Sequence, residues 1–268
     1  MSSIGVIHYN WPGYDLEGFA RRASEIGYTS CELQIGDIWD EANDDDGRRA
    51  EQVRELFDSV GMNISAVAAG NDFIQAERSD WEAQVKRYRR VCEIITHTGT
   101  DIVRSDGGWN RGGLVDEGEW DGMMLEAFQE CADFLEEFNV RIALDNHGVS
   151  TNDGDWQLSL IQRVGSSRLG VNLDTMNYRW YGHDLDKIDH FYEILAPHVF
   201  HTHMKDGTGS RENYKGAALG EGEIHLHHAL ECVKKAGYDG AWTAEYEGPE
   251  AEGGVGYEKC YTWLKANV

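Results

Sequence analysis

The chain has 268 residues, 41% of them hydrophobic, enough for the core of one large domain. Forty-eight acidic residues against 24 basic give a formal charge of −24, and such a surface repels nucleic acids and anionic membranes, whose recognition needs a basic footprint. No apolar run approaches the roughly 20 residues that span a bilayer, and the start, MSSIGVIHYNWPGYD, lacks a basic segment leading into an apolar signal core. A soluble, cytoplasmic protein is expected.

The acids are dispersed (EANDDDG, DEGEWDG), not gathered in a tail, and lysine is scarce, with eight against sixteen arginines. Solvation in a high-salt cytoplasm, where screening removes most of the self-repulsion, accounts for this balance. A halophilic protein is therefore expected. Cys31, Cys92, Cys131, Cys232 and Cys260 are odd in number and form no CxxC pair. They fall in apolar strand or helix patterns and read as buried, reduced thiols.

Strand-like and helix-like segments alternate from the start. IGVIHY (4–9) leads into an amphipathic stretch from Leu16 to Ile26, and SCELQI (30–35) into a polar loop and RAEQVRELFDSVG. NISAVAA (63–69) precedes WEAQVKRYRRVCEIITHTG, and DIVRSD (101–106) precedes MLEAFQECADFLEEF. The second half repeats the unit with VRIALDNH (140–147), LGVNLDT (169–175), HVFHTHMKD (198–206) and GAWTAEYEG (240–248), each followed by a helical candidate. Eight such units predict parallel strands with helical crossovers, closed into a single (β/α)8 TIM barrel that occupies 1–268 as one domain. A doubly wound sheet is the alternative, but no GxGxxG follows the first strand. Glycines in EIGYTS, DSVGMN, HTGTD and KAGYDG stand where helix C-caps belong.

In such a barrel the chemistry sits at the C-terminal ends of the strands. The first four end in His8 and Tyr9, Glu32 and Gln34, Ala68 to Asn71, and Arg104 to Asp106. The last four end in Asp145 to His147, Asp174 to Asn177, His203 to Asp206, and Glu245 to Glu247, so each delivers a carboxylate or an imidazole to one face. Asp145, Asp174, His203 and Glu245 form an oxygen-rich set with one nitrogen. It suits one divalent cation, Mn²⁺ first, with Mg²⁺, Co²⁺ or Zn²⁺ as alternatives. Without a cation the three carboxylates would repel one another, and some would protonate. Any one of these acids could instead cap a helix or pair with a base. His201 shares the face of His203 one layer deeper, where packing or support of the ligand is expected.

ALDNHG (143–148), GVNLDTMN (170–177), HTHMKD (201–206), LGEGEIHL (219–226) and TAEYEG (243–248) together resemble the sugar phosphate isomerase/epimerase family. These xylose-isomerase-like TIM barrels include ketose 3-epimerases, inosose dehydratase and endonuclease IV. The resemblance implies a metal held by Asp145, Asp174, His203 and Glu245. One departure is Asp145, a methylene shorter than the glutamate usual on the fifth strand. It also implies an isomerase or epimerase of a sugar or sugar phosphate, working by proton transfer through a metal-stabilised enediolate. Asp145 and Glu245 would move the protons, and His147 would contact a hydroxyl or act as acid and base. Arg211, Lys205, Asn177 and Glu32 are the substrate-binding candidates. Arg211 could equally be a solvated partner of Glu212, and Lys205 a partner of Asp206. Tyr9, Trp11 and Trp109 could stack on a sugar or belong to the core, and His225, His227 and His228 read as surface residues.

Few basic residues lie near the strand ends, which favours an unphosphorylated sugar or polyol. An inosose-type dehydratase on the same metal site, or a degenerate sugar-binding barrel, are the alternatives. The endonuclease branch is disfavoured: AAGND and RSDGG supply no histidine, and Asn177 stands where that branch has one. A homo-oligomer is expected from the relatives. Thermal unfolding checks the halophilic expectation: Tm should rise steadily between about 0.1 M and about 2 M KCl as screening increases, and a Tm independent of salt would overturn it.

Overall fold

The computed structural model describes residues 3–43, 46–109 and 113–268. Its strands are β1 (Ser3–Ile7), β2 (Ser30–Gln34), β3 (Asn63–Ala68), β4 (Ile102–Ser105), β5 (Arg141–Asp145), β6 (Leu169–Asp174), β7 (Val199–Met204), β8 (Asp206–Thr208), β9 (Lys215–Ala217) and β10 (Ala241–Ala244). The first seven and β10 pair in parallel and close into a barrel, with β10 bridging β7 and β1. The expected (β/α)8 barrel is the fold. β8 and β9 form a separate antiparallel hairpin that the alternation of apolar residues does not announce.

The helices are α1 (Leu16–Ile26), α2 (Ile35–Ile38), α3 (Arg48–Ser59), α4 (Arg78–Ile95), α5 (Glu117–Phe138), α6 (Gly154–Val164), α7 (Asn177–Tyr181), α8 (Leu185–Leu195), α9 (Leu226–Lys235) and α10 (Val255–Asn267). The longer ones bury one stripe; α4 buries Trp81, Val85, Tyr88, Val91, Cys92 and Ile95 at three- and four-residue spacing. Part of the acid surplus has a local use. Asp15, Asp116, Asp153 and Asp184 cap α1, α5, α6 and α8, each accepting a hydrogen bond from a first-turn backbone N–H. Such a cap contributes about 1 kcal/mol and places negative charge at the positive end of the helix dipole.

Cys31, Cys92, Cys131 and Cys260 are buried free thiols, whereas Cys232 is only half-buried, its Sγ 3.6 Å from His228 Nε2. No described helix is long and apolar enough to cross a membrane.

Ala66, Ile102, Ala143 and Phe200 close the N-terminal end of the barrel with apolar side chains. Above them the interior is polar: Glu32, Arg104, Asp145, Asn172, His201, His203 and Thr243 are all buried. The β6–β7 register sets Asn172 opposite His201 and Asp174 opposite His203. The two-residue period of the strands therefore stacks two polar layers, the upper one at the mouth.

Asp206, the first residue after HTHMK, leaves the barrel and organises the loop that follows β9. Its carboxylate accepts hydrogen bonds from the backbone N–H groups of Gly207, Gly220, Gly222 and Ile224. A Cβ on Gly222 would lie 2.1 Å from Asp206 Oδ1, which explains glycine there. Gly170 on β6 is equally confined: a Cβ would lie 2.3 Å from the His198 carbonyl oxygen and 2.7 Å from the Phe200 ring. Gly170→Ala should cost about 1–3 kcal/mol through overpacking, read as a lower urea midpoint; an unchanged midpoint would show that the barrel base can yield.

Candidate functional site

Asp174, at the end of β6, is fully buried. Its Oδ1 accepts hydrogen bonds from the backbone N–H groups of Met176 and Asn177, both at 2.7 Å, so the turn into α7 fixes the carboxylate. Asn146 braces the same turn, donating to the Asp174 carbonyl and accepting from its N–H, both at 3.0 Å. The other oxygen, Oδ2, is buried and has no hydrogen-bond partner among the described residues.

His203, at the mouth of β7, is also fully buried. Its Nε2 donates to Glu32 Oε2 at 2.6 Å. A carboxylate only accepts, so Glu32 fixes the proton on Nε2 and turns Nδ1 towards the neighbouring acids. Nδ1 lies 2.8 Å from Glu245 Oε2, not aligned as a hydrogen bond, and 4.0 Å from Asp174 Oδ2. Glu245 follows β10, where its N–H bonds to the Met204 carbonyl, and its Oε1 accepts from Lys205 Nζ at 3.0 Å and Asn10 Nδ2 at 3.3 Å. Ligand atoms of Asp174, His203 and Glu245 all lie within 4.8 Å of one another.

The electrostatics follow from this packing. Burial, reinforced by Glu245 and Asp145, pushes the Asp174 carboxyl up to about 7 against the pull of Lys205. Burial also opposes ionisation of Glu245, but Lys205 and His203 outweigh it and hold that carboxyl well below its usual range. Lys205 is buried too, yet Glu245, Asp174 and Glu247 keep it charged. A carboxylate oxygen without a partner, an imidazole nitrogen turned inward and a second carboxylate meet in one place. That donor set fits a divalent cation.

Asp145, the fourth expected ligand, has both oxygens bonded to protein groups. Asp145 Oδ2 accepts from Arg104 Nη1 at 2.8 Å and its Oδ1 from Asn172 Nδ2 at 2.7 Å. Burial disfavours its charge, but Arg104 and then His147 overcome this and bring the carboxyl down to about 2. The residue groups with Asp106 and His147, not with the other three.

The remaining candidates divide. Lys205 Nζ lies 2.9 Å from Glu247 Oε2 and donates to Asn177 Oδ1 at 3.3 Å, while Asp206 is spent on its loop, so the Lys205–Asp206 pair does not form. Lys205, Asn177 and His147 line a cavity of about 270 Å³ with Trp109, Gly148, Trp180 and Glu247. His147 Nδ1 is 3.4 Å from Asp145 Oδ2, and its ring meets Trp109 edge-on. Glu32 does not line this cavity. It is fully buried beneath the mouth, shared by Arg104, His201 at 3.1 Å and His203. Arg211 is carried outward by the β8–β9 connection, where its Nε donates to the Tyr181 carbonyl and its guanidinium covers the Tyr181 ring. It does not line the cavity. Trp11 stacks on Tyr257 inside the core, and Tyr9 is exposed on the rim. His225, His227 and His228 lie at the outer face of α9 and its approach.

Arg104 appears among the strand-end residues without a role, and Asn172 does not appear, although it shares an inward face with Asp174 two positions on. Trp180 gives no sequence signal, because α7 is too short to show a period.

Fold and site together define a (β/α)8 barrel whose mouth carries buried acids and an imidazole. The family described as the xylose isomerase-like TIM barrel matches residues 20–267, and the chain belongs to it. The uncharacterized protein MJ1311 of Methanocaldococcus jannaschii is 25% identical over 125 residues, 45% of this chain and 42% of that protein, so the chain spans under half the length of that relative. Among solved structures, the IolI protein with a bound zinc atom superposes with a TM-score of 0.79 at 17% identity, over 99% of this chain and 96% of that one. D-psicose 3-epimerase from Clostridium cellulolyticum H10, solved with D-tagatose, gives 0.78 at 14% identity, over 100% and 98%. At these identities the structural likeness is one of fold.

Adding Mn²⁺ to metal-stripped protein should raise Tm, because a ligand that binds the folded chain stabilises it. The Asp174 carboxyl titrates higher folded than unfolded, so its own contribution to the stability of the metal-free chain falls as pH rises from about 4 to about 7. Metal competes with that proton, so the gain in Tm should be larger at pH 8 than at pH 5, and Asp174→Asn should remove it. Glu32→Gln should weaken metal binding roughly 10–100-fold by loosening His203; unchanged affinity in a calorimetric titration would deny Glu32 that role.

Proposed function

We propose that the chain is a divalent-metal-dependent isomerase or epimerase of an unphosphorylated sugar or polyol, with Asp174, His203 and Glu245 holding the cation and the whole chain serving as one domain. The convergence of the unpartnered Asp174 Oδ2 with His203 Nδ1 and Glu245 carries this reading. The cavity beside them, about 270 Å³, is close to the roughly 300 Å³ lower bound for small-molecule sites. Trp109 and Trp180 offer faces for the C–H surface of a sugar. Asn177, Lys205, Glu247 and His147 offer polar groups for its hydroxyls. A phosphate dianion finds little welcome, since Arg104 and Lys205 are already neutralised by carboxylates. The zinc in the IolI structure supports a site of this kind, and the oxygen-rich donor set favours Mn²⁺.

A cation bound there supplies Lewis-acid polarisation of a carbonyl and its neighbouring hydroxyl. The chain's own groups do the rest. Glu245, kept ionised by Lys205 and His203, exchanges a proton at its carboxylate with the substrate carbon beside that carbonyl. His147, on the cavity wall, is oriented through Nδ1 by Asp145, which leaves Nε2 to exchange the second proton. Burial disfavours a charge on His147, but Asp145 more than compensates and raises its pKa. The expected pair of carboxylates thus becomes a carboxylate and an imidazole, because Asp145 is buried behind Arg104.

Dehydration is the second reading, supported by Lys205, an ammonium on the cavity wall that can protonate a leaving hydroxyl. NMR in D₂O with a panel of ketoses and inososes separates the two. Isomerase or epimerase chemistry incorporates solvent deuterium without loss of water. Glu245→Gln should slow that exchange by roughly 10²–10⁴-fold while the protein stays folded, and undiminished exchange would sink the mechanism.

A further inference from the structure

Arg104, at the third position of β4, is 4% exposed, and its guanidinium serves three carboxylates. Nε donates to Glu32 Oε1 at 2.8 Å, and Nη1 donates to Asp106 Oδ1 at 2.7 Å and Asp145 Oδ2 at 2.8 Å. With Asn172 on Oδ1, both oxygens of Asp145 are engaged. Asp174 differs, having one oxygen locked by backbone N–H groups and the other bare.

The mouth therefore has two halves. On the β6, β7 and β10 side, Asp174, His203 and Glu245 come together beside Lys205, whose Nζ donates to Glu245 Oε1 at 3.0 Å but stands 4.0 Å from Asp174 Oδ2. On the β4 and β5 side, Asp106, Asp145 and His147 form a second acidic group, and Arg104 is already bonded to both of its carboxylates.

We propose that Arg104 is a positioning residue that withholds Asp145 from the metal, so that the cation is held by three side chains and its remaining coordination positions are left to substrate oxygens. The proposal rests on Asp174, His203 and Glu245 being the metal site. Three facts drive it. A guanidinium keeps its charge and its fork geometry when buried. Its charge-assisted bonds are strong. Freeing Asp145 would leave Arg104 short of one buried anion while adding a third carboxylate to the metal. An aspartate, one methylene shorter than glutamate, reaches Arg104 and Asn172 from β5 without reaching the trio. Catalytic metal sites keep positions open for substrate, and this arrangement widens that opening.

Calorimetric titration of Mn²⁺ into the metal-stripped full chain tests this. Asp145→Asn preserves shape and should change Kd by less than about threefold, short of even the ~10–100-fold loss typical of an outer partner. Asp174→Asn should weaken binding more than about 100-fold, beyond that range. Arg104→Met should tighten binding by about tenfold or more as Asp145 joins the site, and adding Asp145→Asn should abolish the gain. A gain in affinity that depends on Asp145 is not something mere structural damage produces. If Asp145→Asn weakens binding as much as Asp174→Asn does, Asp145 is a ligand and the proposal is wrong while the metal site stands. If the wild type binds no Mn²⁺, or Asp174→Asn is silent, the metal site itself is wrong and the proposal falls with it. Should Arg104→Met fail to fold, Asp145→Asn decides the matter alone.

Discussion

Negative charge taken out of water is the constraint around which the mouth of this barrel is organised. Glu32, Asp106, Asp145, Asp174 and Glu245 are buried there, with Glu247 at the rim, and the permanent cations beside them are Arg104 and Lys205. A buried carboxylate is stable only when paired or hydrogen-bonded. Arg104 satisfies Glu32, Asp106 and Asp145, and Lys205 satisfies Glu245 and Glu247. Asp174 receives two backbone N–H groups on one oxygen and nothing on the other, and its carboxyl rises to about 7. The unbonded oxygen of Asp174 lies 4.0 Å from both Lys205 Nζ and the inward nitrogen of His203.

Glu32 links the two halves. One of its oxygens takes Arg104, and the other takes Nε2 of both His203 and His201. Burial alone would keep its carboxyl protonated, but His203 and Arg104 outweigh that and hold it ionised. Glu32 is fully buried beneath the mouth. It sets which nitrogen of His203 carries the proton, and through Arg104 it is coupled to Asp145. The surface acids obey a different logic, with several capping helices and many paired with exposed arginines, where each ion pair contributes little.

Much of the fold is legible because parallel barrel strands and their helices have distinct periods. IGVIHY, NISAVAA and LGVNLDT alternate too tightly for helices, and the stretch from Leu16 to Ile26 matches α1 residue for residue. Strand ends are less legible. The first strand stops at Ile7, and the seventh stops at Met204, beyond which Asp206 finds four backbone N–H groups outside the barrel. The hairpin that carries Arg211 away from the cavity is three residues per strand, too short for a periodic signal.

By itself the sequence determined the eightfold βα order, and with it that Asp174, His203 and Glu245 stand at neighbouring strand ends on one face. Local periods and chain order suffice for that. It also determined that His201 lies beneath His203, since strand alternation leaves no other choice. Only the tertiary structure decided which buried charges meet. Arg104 and Asp145 are 41 residues apart, as Glu32 and His203 are 171 apart. Pairing across a barrel depends on the reach of each side chain and the register of its strand, and a linear pattern carries neither.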